Sequence, residues 1–182
     1  MSKFEFIIVL VSIMLGFAAT EQLAVWGRVL RAPTRYGFSW PFFLSSLYVL
    51  SALVMHWVMF WSYSDVDISQ ARHVFLLTLP SLVLALSSYA LAPEPDTREP
   101  ILDHHWNESS GRMMTLLGTF PASACVADIL LPGALAGPPP LLVLVVVSIF
   151  LGAGFERFRR LRPAVVGFFL ATQILGMWTR TL

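Results

Sequence analysis

The chain has 182 residues, 57% of them hydrophobic and 13% charged, and a mean hydropathy of +0.72. Those values exclude an ordinary soluble domain, in which about 45–50% of residues are apolar and about 25% charged. The formal net charge of +1 is spread over several short segments, so no nucleic-acid partner is expected. A single cysteine, Cys125, excludes an intrachain disulfide and a cysteine-based zinc site.

The apolar residues arrive in blocks close to the roughly 20 residues that a helix needs to cross a hydrocarbon core of about 30 Å. The alternation of a membrane barrel is not visible, and helices are then the way to satisfy every backbone group in lipid. The expectation is an all-α, polytopic transmembrane helical bundle, one membrane domain over 1–182 with the lipid bilayer as partner. No motif calls for a cofactor.

Six spans are expected, or five if the short fifth or sixth segment lies in the interface, a reading that leaves the second basic cluster hard to place. The first, over 4–26, is read as a permanent helix because Ala18 and Ala19 are followed by Glu21 and more apolar sequence, which does not fit a cleaved leader. It continues as an interfacial turn through Arg31 until Pro33 stops it. The second, 40–63, is rich in aromatic residues. Asp65 and Asp67 separate it from the third, 74–92, where Pro80 predicts a kink. Pro93, Pro95 and Pro100, with a cluster of acidic residues, mark 93–111 as a cytoplasmic acidic loop. The fourth span, 113–131, carries Pro121. The turn LPGALAGPPP leads into the fifth, 141–155, and Pro163 opens the sixth, 164–178.

Basic residues set the orientation. With the N-terminus outside, Arg28, Arg31, Arg35, Arg98, Arg112, Arg157, Arg159, Arg160 and Arg162 fall inside, against Lys3, Arg72 and Arg180 outside. Both termini are therefore expected on the non-cytoplasmic side. Trp26 and Trp40 fall near the inner interface, and Trp57, Trp61 and Trp178 near the outer one, as amphipathic rings prefer. Three spans per half permit an inverted repeat, but the halves share no sequence similarity.

A charged side chain at the centre of a span costs about 2.5 to 3.5 kcal/mol on insertion scales, so each one needs a reason. Glu21, His56, Asp128 and Glu156 qualify. At 1.5 Å per residue, Glu21 lies roughly 7 Å to the cytoplasmic side of its helix centre and His56 roughly 7 Å to the outer side of its own. Asp128, roughly 10 Å outward in the fourth span, is close to the depth of His56, so these two form the expected pair for proton exchange. Gln173, near the midplane of the sixth span, is the expected relay, through Thr20, Thr172 or water. Plainer roles are available to each. His56 fits a single interhelical hydrogen bond, Asp128 a solvated site near the outer end, Glu156 an ion pair with the arginines after it, and Glu21 a pair with Arg28.

The sequence DHHWNE offers Asp103, His104, His105 and Glu108, ligand types that suit zinc or iron. Adjacent histidines cannot share one helical face, and a solvated loop is the simpler reading. Asn107, Glu108 and Ser109 spell a glycosylation sequon on the cytoplasmic side, where it has no meaning. Gly152 and Gly154 fit close helix packing better than a phosphate loop.

The opening FEFIIVLVSIMLGFAATEQLAVWGRVLR, with its aromatic second span, resembles small multi-pass bacterial inner-membrane proteins of unknown function. The resemblance covers about the first hundred residues. It implies an inner-membrane location and assigns no activity or site. A proton- or ion-conducting channel or transporter, working as a homo-oligomer, with Glu21, His56, Asp128 and Gln173 as stations, is the first functional expectation. A non-catalytic accessory or sensor subunit holding a membrane-protein partner is the second. A metal-dependent membrane enzyme using the DHHWNE residues is the third.

Overall fold

The computed structural model describes residues 3–64, 66, 68, 70–93, 102–131 and 140–180, with the side chains of 35, 140 and 176–180 left out. Asp65, Asp67, Pro95, Arg98, Pro100, the turn at 132–139 and the side chains of Arg35, Trp178 and Arg180, all used above, lie outside that description. Among the described residues the fold is all-helical, with no strand. The helices are α1 (Lys3–Arg31), the short α2 (Pro33–Tyr36), α3 (Trp40–Phe60), α4 (Ala71–Leu91), α5 (Leu102–Leu130), α6 (Pro140–Gly154) and α7 (Arg162–Arg180). Two 3₁₀ turns, Trp61–Tyr63 and Glu156–Leu161, follow α3 and α6.

Four of these are long and apolar enough to cross a membrane: α1, α3 with its 3₁₀ turn, α4 and α5. A fifth candidate is the pair Leu141–Gly154 and Glu156–Leu175, which is apolar enough when taken together but bends by 108° at Phe155. The helices are apolar on both sides, as lipid requires. On α1 a buried stripe of Ile7, Val11, Leu15, Ala18, Gln22, Val25 and Val29 follows helical spacing, while Phe6, Val9, Ile13, Phe17 and Leu23 point outward and are exposed. Water would not tolerate that outer surface.

α1 runs antiparallel to α3. Phe4 stacks on Phe60 at one end (5.9 Å) and Trp26 meets Phe43 at the other (5.8 Å). The turn between them reverses at Gly37, whose φ of 65° suits a residue without Cβ, and Ser39 caps α3 by accepting from the Phe42 amide. α4 returns beside α3, and α5 beside α4. Pro80 and Pro121 lie inside α4 and α5 without ending either helix, as expected for spans whose neighbours supply support.

The structure changes one boundary decisively. Residues 102–111, expected to be loop, form the first turns of α5. Leu102, Trp106, Ser109, Ser110, Met113, Met114 and Leu117 are buried at helical spacing, while Asp103, His104, Asn107, Glu108 and Arg112 face outward. The helix is 29 residues long, roughly 43 Å, so it projects beyond the hydrocarbon core.

α6 lies antiparallel to α5 at very short range. A Cβ on Gly154 would fall 2.8 Å from Thr115 Oγ1, and one on Gly118 would fall 3.0 Å from Phe150 Cβ. The expected close packing therefore belongs to Gly154; nothing lies within 4 Å of a Cβ at Gly152. α7 then lies along α3 and in the same direction, with Gly167 beside Leu44 and Gln173 beside Ser51.

Arg162 closes the joint between α6 and α7. It is 1% exposed, and its guanidinium donates to the Ala153 and Gly154 carbonyls (2.8 and 3.0 Å), to Ser110 Oγ (2.8 Å) and to Glu156 Oε2 (3.4 Å). The carbonyls belong to the last turn of α6, where the helix dipole is negative and no amide follows. Replacing Arg162 by Met is expected to destabilise the protein by about 2–4 kcal/mol, because buried acceptors on α5 and α6 lose their donor. Glu156→Gln should cost less than about 1 kcal/mol, since Glu156 is 71% exposed and also bonds Arg159. Thermal unfolding in detergent reads both, and equal effects would assign the joint to the ion pair rather than to the carbonyls.

Candidate functional site

One end of the bundle holds a cavity of about 290 Å³ between α3, α4, α5, α6 and α7. Its wall is mainly apolar or sulfur-bearing, with Met55, Met59, Phe60, Phe120 and Cys125 among the lining residues. The polar exceptions include His56, Tyr63, Asp128 and Gln173. Three of the four residues proposed from sequence as proton stations thus share one space.

They do not bond as expected. His56 and Asp128 are not joined. His56 Nε2 shares a hydrogen bond with Ser81 Oγ (2.8 Å), while its ring meets Phe120 and Phe60 edge-on at 5.2 and 6.1 Å. Asp128 Oδ1 instead accepts from the Tyr63 hydroxyl at 2.5 Å. The 3₁₀ turn that continues α3 is what swings Tyr63 over the cavity, a placement that depth along a straight helix does not reveal. Gln173 reaches neither Thr20 nor Thr172 directly: both hydroxyls return to their own helices, and Gln173 Oε1 accepts from Ser51.

Pro80 and Pro121 both line the wall. Each lacks an N–H and leaves the carbonyl four residues earlier, on Leu76 and Leu117, without its helical donor. Irregular backbone of this kind inside a membrane belongs beside protein or a wet cavity.

A second polar cluster lies deeper and was not among the sequence candidates. Gln22 is fully buried; its Nε2 donates to the Ser88 carbonyl (2.7 Å) and its Oε1 accepts from Ser46 (2.6 Å), which in turn accepts from the Trp26 indole (2.8 Å). Ser88 also donates to the Ala18 carbonyl. An amide within an apolar span was the available signal, eclipsed by the charge next to it. Glu21 itself pairs with Arg28 at 3.4 Å, both partly exposed. Between the clusters, Val49, Leu53, Leu84 and Ala85 are buried and apolar. The separation is roughly 15 Å along α3, from Ser46 to His56, and roughly 10 Å along α4, from Ser81 to Ser88.

The DHHWNE residues diverge, as adjacent helical positions must. His104 faces outward and pairs with Glu108 (3.1 Å), whereas His105 turns inward and donates to the Leu91 carbonyl (2.8 Å). Among the described residues no three His, Cys, Asp or Glu side chains gather as a metal site. No protein-family model, curated protein or solved structure matches the chain.

The lone cysteine provides a test of access. Cys125 lines the cavity and is only partly buried. A small methanethiosulfonate reagent should modify it in the folded protein, because the reaction needs a thiolate in contact with water. Mass spectrometry showing Cys125 unmodified until denaturant is added would mean that the cavity is dry and closed.

Proposed function

We propose that the protein is a proton-coupled membrane carrier whose binding site is the cavity around Asp128 and His56. The observation that carries this reading is the union of a carboxylate, an imidazole and two proline-interrupted helices in a space that stops half-way through the bundle. Val49, Leu53, Leu84 and Ala85 fill the path between that space and the Gln22 cluster. A continuous channel would need that path wet; a carrier needs it shut on one side at a time. Asp128 and His56 are the protonatable groups at the binding site, Gln173 its hydrogen-bonding wall, and the Glu21–Arg28 pair the charged rim at the other end.

The topology that belongs to this reading has six crossings and both termini on the non-cytoplasmic side, so that the cavity opens outward. The direction of the helices favours it: α6 runs antiparallel to α5, and α7 runs back parallel to α3 despite the 108° bend. Arg157, Arg159 and Arg160 then fall in an exposed turn on the basic, inner side. Assignment to a bacterial inner membrane rests on the resemblance of the opening segment.

Reconstitution in liposomes loaded with a pH-sensitive dye tests the function. An acid pulse outside should drive proton entry that falls about tenfold or more in Asp128→Asn, equivalent to about 1.4 kcal/mol of barrier, with a smaller loss in His56→Gln. Entry that both variants leave unchanged would remove the carrier reading and favour the accessory subunit.

A further inference from the structure

We propose that the cavity takes an apolar organic monocation of the quaternary-ammonium class, held by Asp128 and the surrounding rings, and that cation and proton compete for that carboxylate. Binding is argued from the cavity alone; the competition as a transport cycle rests on the carrier reading above.

The wall chemistry selects among ligand classes. Among the described residues no Lys or Arg lines the space, and Asp128 is the carboxylate in its wall. An anion would therefore meet only repulsion from the charged form of Asp128. A neutral apolar molecule would fill the pocket but leave that carboxylate without a counter-charge in a largely apolar space. Sodium, calcium or magnesium needs about six or more oxygen ligands to replace its water, and the walls are mostly carbon and sulfur.

An ammonium without N–H bonds has the complementary needs. It requires no hydrogen-bond acceptors, only a negative partner and polarisable surfaces. Phe60, Tyr63 and Phe120 place aromatic rings in the wall, and Met55 and Met59 supply thioethers. Tyr63 holds Asp128 Oδ1 in place, so the carboxylate is oriented before the ligand arrives. The cavity of about 290 Å³ is at the small end of ligand sites, which limits the guest to one ring or a short chain beside the ammonium.

Among the described residues the titratable groups facing Asp128 are few. The 3₁₀ turn contributes Tyr63, α3 contributes His56, and α5 itself contributes Cys125. The residues that α4, α6 and α7 place in the wall, Leu77, Pro80, Val143 and Gln173, do not titrate. His56 is engaged with Ser81. Asp128 is left as the group on which a proton and an organic cation exclude each other.

Equilibrium binding of benzyltrimethylammonium to the full-length protein in detergent tests the inference. Its neutral isostere, neopentylbenzene, has the same shape without the charge. The cation should bind, and its affinity should fall once the pH is lowered far enough to protonate the carboxylate. Asp128→Asn should raise its Kd by about tenfold or more, while Asp128→Glu keeps most of the affinity. Bound cation should also protect Cys125 from the thiol reagent. Equal affinity for neopentylbenzene, or cation binding that ignores both pH and Asp128→Asn, would overturn the proposal. If Asp128→Asn does not fold, the pH series and the isostere on the unaltered protein decide it. Cation binding in a protein that passes no protons would keep the site and remove the transport cycle.

Discussion

Hydrocarbon offers no water to a polar group, and this chain meets that constraint with one buried arginine. Arg162 sits where α6 has just ended, with carbonyls that no amide can reach, and where α5 presents Ser110 across a glycine-thin contact. Its fork supplies several donors in fixed directions to acceptors on two helices at once. The direction of α7, and with it the position of Gln173 in the cavity wall, depends on this joint.

The same constraint governs the smaller polar residues. Ser12, Ser45, Ser87, Ser109 and Ser148 each donate to the carbonyl four residues earlier, so they cost the membrane little and carry no functional message. Apart from the Trp57–Ser12, His105–Leu91 and Arg162–Ser110 bonds, the side chains that reach another helix gather mainly in two clusters. Gln22, Ser46, Trp26 and Ser88 bind α1, α3 and α4 at one depth. His56, Ser81, Tyr63, Asp128, Ser51 and Gln173 occupy the other. Gln22, Ser46 and Ser88 of the first are fully buried and read as structure; the second borders the cavity and reads as a site.

Some of this was legible in the residues. The bounds of α1 through Arg31, the survival of α4 across Pro80, the tight packing at Gly154 and the Glu21–Arg28 pair all follow from local rules of spacing, steric fit and charge. The helix over 102–111 did not, because hydropathy averages a polar face with the buried stripe of Leu102, Trp106, Ser110 and Met113. Arg162 looked like one more inner-rim cation. Its burial depends on the chain turning back by 108°, and no window of sequence contains that angle.

By itself, the sequence determined that the chain is helical, apolar over blocks of near-spanning length and studded with a few ionisable groups, because hydropathy and periodicity are properties of neighbours along the chain. Only the tertiary structure decided which of those groups share a space. His56 and Asp128 stand at similar depth, yet depth gives one coordinate; rotation about each helix axis gives the second, and a 3₁₀ turn carrying Tyr63 supplies the partner that Asp128 takes instead. Distances between helices are set by packing contacts far apart in the chain, and packing alone brought His56, Asp128 and Gln173 to one cavity.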